Sequence, residues 1–206
     1  MPDGAQAEIK RGRKFDQVLE GARDVFMSDG FEGASVDEIA KRAGVSKATL
    51  YSYFTDKRLL FLEVAKSECA RQADSAVHQV DMSGSPREVL RDIGWRMIEF
   101  VTSDFGQRVF RLCVAESERF PQLGREFYEN GPLLVRKKLL SYFDESIARG
   151  ELRIDDRELA ADQFHELCKA DLFPRLVFSM ARSFDAEEKR RVVEGAVETF
   201  MARYGT

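Results

Sequence analysis

Residues 35–57 read SVDEIAKRAGVSKATLYSYFTDK, and the reading of this stretch decides the fold of the N-terminal part of the chain. Ser35 followed three residues later by Glu38 has the form of a capping box, in which each side chain satisfies an orphan backbone N–H of the first helical turn. The spacing predicts a helix from near Val36 that carries Val36, Ile39, Ala40 and Ala43 on one side. Gly44 then supplies the residue best able to take the left-handed conformation that ends a helix. After the turn Gly44-Val45-Ser46, Ser46 is suited to cap a second helix, and Val45 is placed to pack on Leu50 as a hydrophobic staple. Two short helices held at a locally fixed angle are the expectation.

On a 3.6-residue wheel Leu50 and Phe54 share one face of the second helix, and Ala48, Thr49 and Ser52 point the other way. That outer face is small and uncharged. Lys47 and Tyr51 flank it on one side and Tyr53 on the other, and Lys57 opens the next helix. A slim helix with a hydrogen-bonding tip and cationic or hydroxyl flanks fits the major groove, where base edges are read at the centre and phosphates are held at the sides. The arrangement is that of a helix-turn-helix, with a helical hairpin inside an ordinary all-α domain as the alternative.

The run GFEGASVDEIAKRAGVSKATLYSYFTDKRLLF resembles the N-terminal DNA-binding domain of the TetR/AcrR family of bacterial regulators, over roughly Phe15 to Val64. The resemblance implies a three-helix DNA-binding head, a larger helical ligand-binding body, a homodimer and a repressor. Carried over by position, it implies DNA contacts from Ser35, Lys47, Ala48, Thr49, Tyr51, Ser52, Tyr53 and Lys57.

Working outward, Phe15, Val18, Leu19, Ala22, Val25 and Phe26 have the spacing of one apolar face on a helix from about Arg13 to Ser28, with Gly30 as its stop. Lys10, Arg11, Arg13 and Lys14 form a basic arm just before it, placed to reach phosphates or a minor groove; a solvated tail is the other reading. The net charge of −4 is unevenly held: residues 1–66 carry eleven Lys and Arg against eleven Asp and Glu, and the remaining 21 against 25 account for all of it. A neutral head on an acidic body is therefore expected, divided as 1–66 and 67–206.

A 206-residue chain with 44% hydrophobic and 33% charged residues can bury a sizeable core, and no run approaches the ~18 apolar residues of a membrane span. The N-terminus lacks the apolar core of a secretory signal, so the expected location is the cytoplasm. Three widely spaced cysteines, Cys69, Cys113 and Cys168, suit reduced, buried thiols.

A helix from Lys57 to about Val80 should connect head to body as a lever, ended by the breaker Ser83-Gly84-Ser85-Pro86. From Pro86 every segment has helical period, and the expected helices are 86–102, 105–118, 121–130, 132–149, 157–182 and 186–203. The fold class is all-α. The stretches FRLCVAESERFPQLGREFYENGP and RGELRIDDRELAADQF are similar to the sensing domain of the AefR-like branch of the family.

The last helix carries Val193, Val197, Phe200 and Tyr204 on one stripe, and the preceding helix carries Phe164, Leu167, Leu172 and Leu176. Together they could form a four-helix bundle with a second copy, as the family's dimers do, or could cover the chain's own core. Trp95, Phe110, Phe127 and Tyr128 are candidates for apolar walls of an effector cavity, with Glu116 and His165 as polar contacts; for any one of them taken singly, core packing is the stronger reading. His165 and Cys168 lie one turn apart on a helix, but no further metal-spaced cluster, nucleophile elbow or phosphate loop accompanies them. The chain is therefore read as no enzyme, with no cofactor: a regulator partnered by double-stranded DNA, a second copy and a small apolar or amphipathic effector. A regulator of the same fold controlled by a protein partner is the alternative.

Overall fold

The computed structural model describes residues 12–79 and 81–206, with side chains at all of these except 69–79. The described residues form eleven helices and fall into two compact units, Met1–Ser67 and Glu68–Thr206. Lys10, Arg11 and Val80 lie outside the described residues.

In the first unit α1 (Arg13–Gly33), α2 (Val36–Arg42), α3 (Lys47–Tyr53) and the start of α4 (Lys57–Gln79) enclose one core. Phe15, Val18, Ala22, Val25 and Phe26 turn inward from α1, Ile39 and Ala40 from α2, Leu50 from α3 and Leu60, Phe61 and Val64 from α4, all buried. Gly30 breaks α1 with φ of +73°, and a last turn follows it to Gly33. Gly21 brings α1 against α2, because a Cβ there would lie 2.6 Å from the Ala43 backbone nitrogen.

In the second unit α5 (Pro86–Thr102), α6 (Asp104–Glu116), α7 (Pro121–Asn130), α8 (Pro132–Ala148), α9 (Arg157–Leu167), α10 (Leu172–Val177) and α11 (Ala186–Tyr204) surround a core that includes Leu90, Leu139, Tyr142, Phe143, Phe164, Val197 and Phe200. Gly94 lets α5 approach closely, since a Cβ there would meet Cys168 Sγ at 3.0 Å and a Val193 methyl at 3.1 Å. Arg91 clamps α5 to α11 by donating to both Glu194 carboxylate oxygens, at 2.6 and 3.1 Å. Arg136 joins α8 to α9 through Asp162 in the same bidentate way. The extended segment after α8 pairs with the end of α11, where Arg153 donates its backbone N–H to the Tyr204 carbonyl at 2.8 Å.

One expected helix, 157–182, is two. Asp171 has φ of +64°, and Pro174 stands in the first turn of α10, where its missing N–H costs no helical bond. In an uninterrupted helix that proline would clash with the carbonyl four residues back.

Candidate nucleic-acid interface

The turn between α2 and α3 is fixed by backbone hydrogen bonds. Gly44 donates to the Lys41 carbonyl at 3.1 Å and Val45 to the Ala40 carbonyl at 3.0 Å, the pattern of a Schellman motif with Gly44 at φ of +64°. Ser35 caps α2 by accepting from the Glu38 N–H at 3.1 Å. The Glu38 carboxylate lies 3.7 Å from the Lys41 ammonium. Ser46 caps α3 by accepting from the Thr49 N–H at 3.1 Å. The hydrogen bonds that cap α2 and α3 and close the turn between them thus lie within residues 35–54.

The outer face of α3 carries three hydroxyls in a row. Ser46 Oγ and Thr49 Oγ1 are 2.9 Å apart, and Ser52 donates to the Thr49 carbonyl at 2.7 Å. Ala48, Tyr51 and Ser52 are exposed, Tyr51 to 49%, and Thr49 is half-buried. Lys47, the first residue of α3, is exposed and ion-paired with Asp37 of α2. Tyr53 is half-buried with its ring edge-on to Phe15 at 5.7 Å, which orients the phenol from the core side.

Lys57 is placed differently from an outward anchor. Its ammonium donates to the carbonyls of Phe31 at 2.8 Å and Ala34 at 3.0 Å, and it lies 4.5 Å from the centre of the Phe31 ring. Two of its three donors are thereby committed inside the head. The carbonyl partners lie 26 and 23 residues away, so periodicity gives no sign of them. Of the basic arm, Arg13 and Lys14 are exposed at the start of α1.

The six candidates for an effector wall do not share one environment. Phe110 of α6 and Phe127 of α7 meet at 6.0 Å between ring centres, and Phe173 of α10, which sequence reading missed, joins Phe110 at 4.8 Å. Trp95 packs instead against the cluster of Ile98, Leu172 and Val193. Tyr128 is exposed, and its hydroxyl accepts from Arg136 at 3.5 Å. Glu116 is half-buried at the end of α6. His165 Nδ1 is 3.3 Å from Glu166 of its own helix; burial, helped by the Lys169 charge, pushes the imidazole pKa down.

Cys168 is buried, and desolvation pushes its thiol up to about 12. Among the described residues no cluster of His, Cys, Asp and Glu is arranged to hold a metal ion, and no helix is long and apolar enough to cross a membrane. A polar surface depression lined by Leu140, Asp144, Asp155, Asp156, Arg157 and Glu158 includes none of the effector candidates.

The residues expected to face a second copy are covered by their own chain. Phe164, Leu172, Leu176, Val193, Val197 and Phe200 are all at most 3% exposed, and Tyr204 is half-buried against Phe200 at 4.8 Å. Within one copy α5, α8 and α9 supply the apolar surface against which this stripe packs. The exposed apolar side chains in this part of the fold are Leu159, Phe178 and Met180.

Two family models match the chain, one for bacterial regulatory proteins of the tetR family over residues 18–64 and one for the C-terminal domain of AefR-like transcriptional repressors over 88–206. The transcriptional repressor AcnR of Corynebacterium diphtheriae is 34% identical over 93 residues, 45% of this chain and 45% of AcnR, so the match spans less than half of that relative. A solved TetR-family regulator from Mesorhizobium loti superposes with a TM-score of 0.83 at 30% identity, covering 94% of this chain and 98% of that one. FrrA, a solved flavonoid-responsive regulator, does so with a TM-score of 0.70 at 33% identity, covering 95% and 98%.

Proposed function

From the premise that the chain belongs to the tetR family of bacterial regulatory proteins, we propose that it is a ligand-responsive, homodimeric repressor that reads an inverted-repeat operator through α3. The observation that carries the reading is the outer face of α3: a capped helix with Ala48, Tyr51 and Ser52 exposed and Thr49 half-buried among them, and with Lys47 beside it. Small side chains at the centre admit the base edges. Lys47 and the tyrosine hydroxyls reach the phosphates, and Ser35 at the cap of α2 meets the backbone of the duplex. Residues 1–66 act as the reading domain and 67–206 as the effector-binding and dimerisation domain.

Two copies related by a twofold axis set their α3 helices into successive major grooves about 34–36 Å apart. The second copy docks on the outward sides of α9 to α11, where Leu159, Phe178 and Met180 are exposed. Effector binding in the second domain favours an arrangement in which both heads no longer dock together, and the operator is released. The flavonoid response of FrrA, with the aromatic trio Phe110, Phe127 and Phe173, supports a planar aromatic effector.

Selection of bound duplexes from a random library by the purified protein, at near-physiological salt, tests this. An enriched inverted repeat is expected. No enrichment by a folded protein would reject α3 as a sequence reader, and enrichment of a single half-site would reject the symmetric dimer.

A further inference from the structure

Lys47, the first residue of α3, is ion-paired with Asp37 in the first turn of α2, so the pair spans the helix-turn-helix. Both side chains stay open to solvent, 59% for the lysine and 65% for the aspartate. Other cations of the head are held more closely. Lys57 is committed to two carbonyls, and Arg58 donates to both carboxylate oxygens of Asp56, at 2.9 and 2.5 Å, in a pair whose side chains are only 20% and 28% exposed. With eleven Lys and Arg against eleven Asp and Glu in residues 1–66, the head has no net charge with which to draw phosphates. What Lys47 can offer a phosphate therefore depends on what becomes of Asp37.

An ion pair this exposed favours its closed form by at most about fivefold, so a phosphate oxygen can take the place of the carboxylate. The displaced carboxylate would then stand unpaired beside the duplex, where like charges repel. In paired helix-turn-helix proteins the N-terminal residues of the second helix meet base edges in the major groove. Asp37 touches the first residue of that helix, so the donors available to it there are base amines. A carboxylate only accepts, and the base-edge donor that aspartate reads is the N4 amine of cytosine. Ser35 already caps α2 by accepting from the Glu38 N–H, so the cap itself does not call for Asp37.

We propose that Asp37 is a specificity-determining residue, whose carboxylate is held by Lys47 in the free protein and takes the N4 amine of a cytosine on the operator, while Lys47 passes to a phosphate. The proposal rests on α3 as the reader of DNA and deepens that reading by adding a residue of α2 to it. On a duplex without that cytosine, Lys47 either stays with Asp37 or leaves it unpaired against the phosphates, and both outcomes weaken binding. Discrimination thus comes from penalising the wrong sequence as well as from contacting the right one.

Duplex selection with the wild-type protein supplies the operator probe, and titrations of that probe and of a scrambled duplex over about 50 to 200 mM salt test the assignment. Asp37→Ala is expected to bind the scrambled duplex about three- to tenfold more tightly, with a salt slope steeper by about 0.9, the value of one phosphate. The operator slope should not change. The ratio of operator to scrambled affinity should fall about tenfold or more, and selected sites should lose a cytosine at one position in each half-site. In a Lys47→Ala background the same change should not steepen the scrambled slope, because Asp37 acts on phosphates through Lys47. If Asp37→Ala loosens α2, Asp37→Asn, which keeps the shape without the charge, should steepen the scrambled slope by the same amount. An unchanged ratio or an unchanged base preference would overturn the proposal and leave Asp37 a helix-terminal charge, with α3 still the reader. Absence of any enriched site with the folded wild-type protein would overturn the reader itself, and the role of Asp37 with it.

Discussion

Lys57 and Phe31 are joined twice: the ammonium donates to the Phe31 carbonyl at 2.8 Å and lies 4.5 Å from the centre of the Phe31 ring. With the second bond to Ala34, this ties the break after α1 to the first turn of α4. Lys57→Met removes a charged donor from two carbonyls at once, and the expected loss is about 1–3 kcal/mol of stability, read by urea unfolding of the full chain. Unchanged stability with weakened binding to every duplex would instead show Lys57 acting only as a phosphate anchor.

Gly21 and Ala43 set the spacing of α1 and α2. A Cβ at Gly21 would sit 2.6 Å from a backbone nitrogen, which cannot rotate away as a side chain can. Gly21→Ala is expected to lower stability by about 1–3 kcal/mol and to weaken DNA binding by disturbing the approach of α2, whereas Gly195→Ala, in open space on α11, should cost neither. Unfolding curves and duplex titrations of the two variants make the comparison.

Legibility in the sequence followed range. The caps at Ser35 and Ser46 and the turn at Gly44 all depend on bonds spanning five residues or fewer, and the structure contains each of them. The break at Asp171 was signalled by Pro174, yet the apolar spacing on either side obscured it. A helical wheel shows that Val193, Val197 and Phe200 form an apolar side, but not whether that side meets a second copy or, as here, the chain's own α5, α8 and α9. The partners of Lys57 arise from tertiary placement and leave no periodic trace.

The α5–α11 clamp makes stability depend on acid. Hydrogen bonding from Arg91 holds the Glu194 carboxyl below the usual carboxylate range. Because the unfolded chain takes up that proton at higher pH than the folded one, the contribution is complete above the ordinary carboxylate pKa and is lost as pH falls through the lowered one. The urea midpoint is expected to drop below about pH 4, and Glu194→Gln should flatten this part of the profile while costing at most about 1 kcal/mol at neutral pH, since the pair is partly exposed. An identical acid profile in the variant would place the dependence on other carboxylates.

Ser179 ends α10 in the left-handed region, with φ of +57°, where it donates to the Leu176 carbonyl and Met180 donates to that of Arg175. This is the same Schellman pattern that Gly44 forms without a side chain. Ser179→Gly is expected to raise stability by about 1 kcal/mol, offset slightly by loss of the 3.3 Å bond from Arg111. Thermal unfolding reads the sign, and a lowered midpoint would mean that the Arg111 bond outweighs the backbone strain.

Everything proposed for DNA rests on α3 as the reader, and the most direct test is duplex selection repeated with Thr49→Ala beside the wild-type protein and Lys47→Ala. Thr49→Ala is expected to change the preferred base at one or two positions, symmetrically in both half-sites, with discrimination altered by about 1–3 kcal/mol, and Lys47→Ala to retain the wild-type sequence with weaker binding and a shallower salt dependence. If all three proteins enrich one sequence with equal discrimination at every position, Thr49 does not read bases and the account of α3 is contradicted.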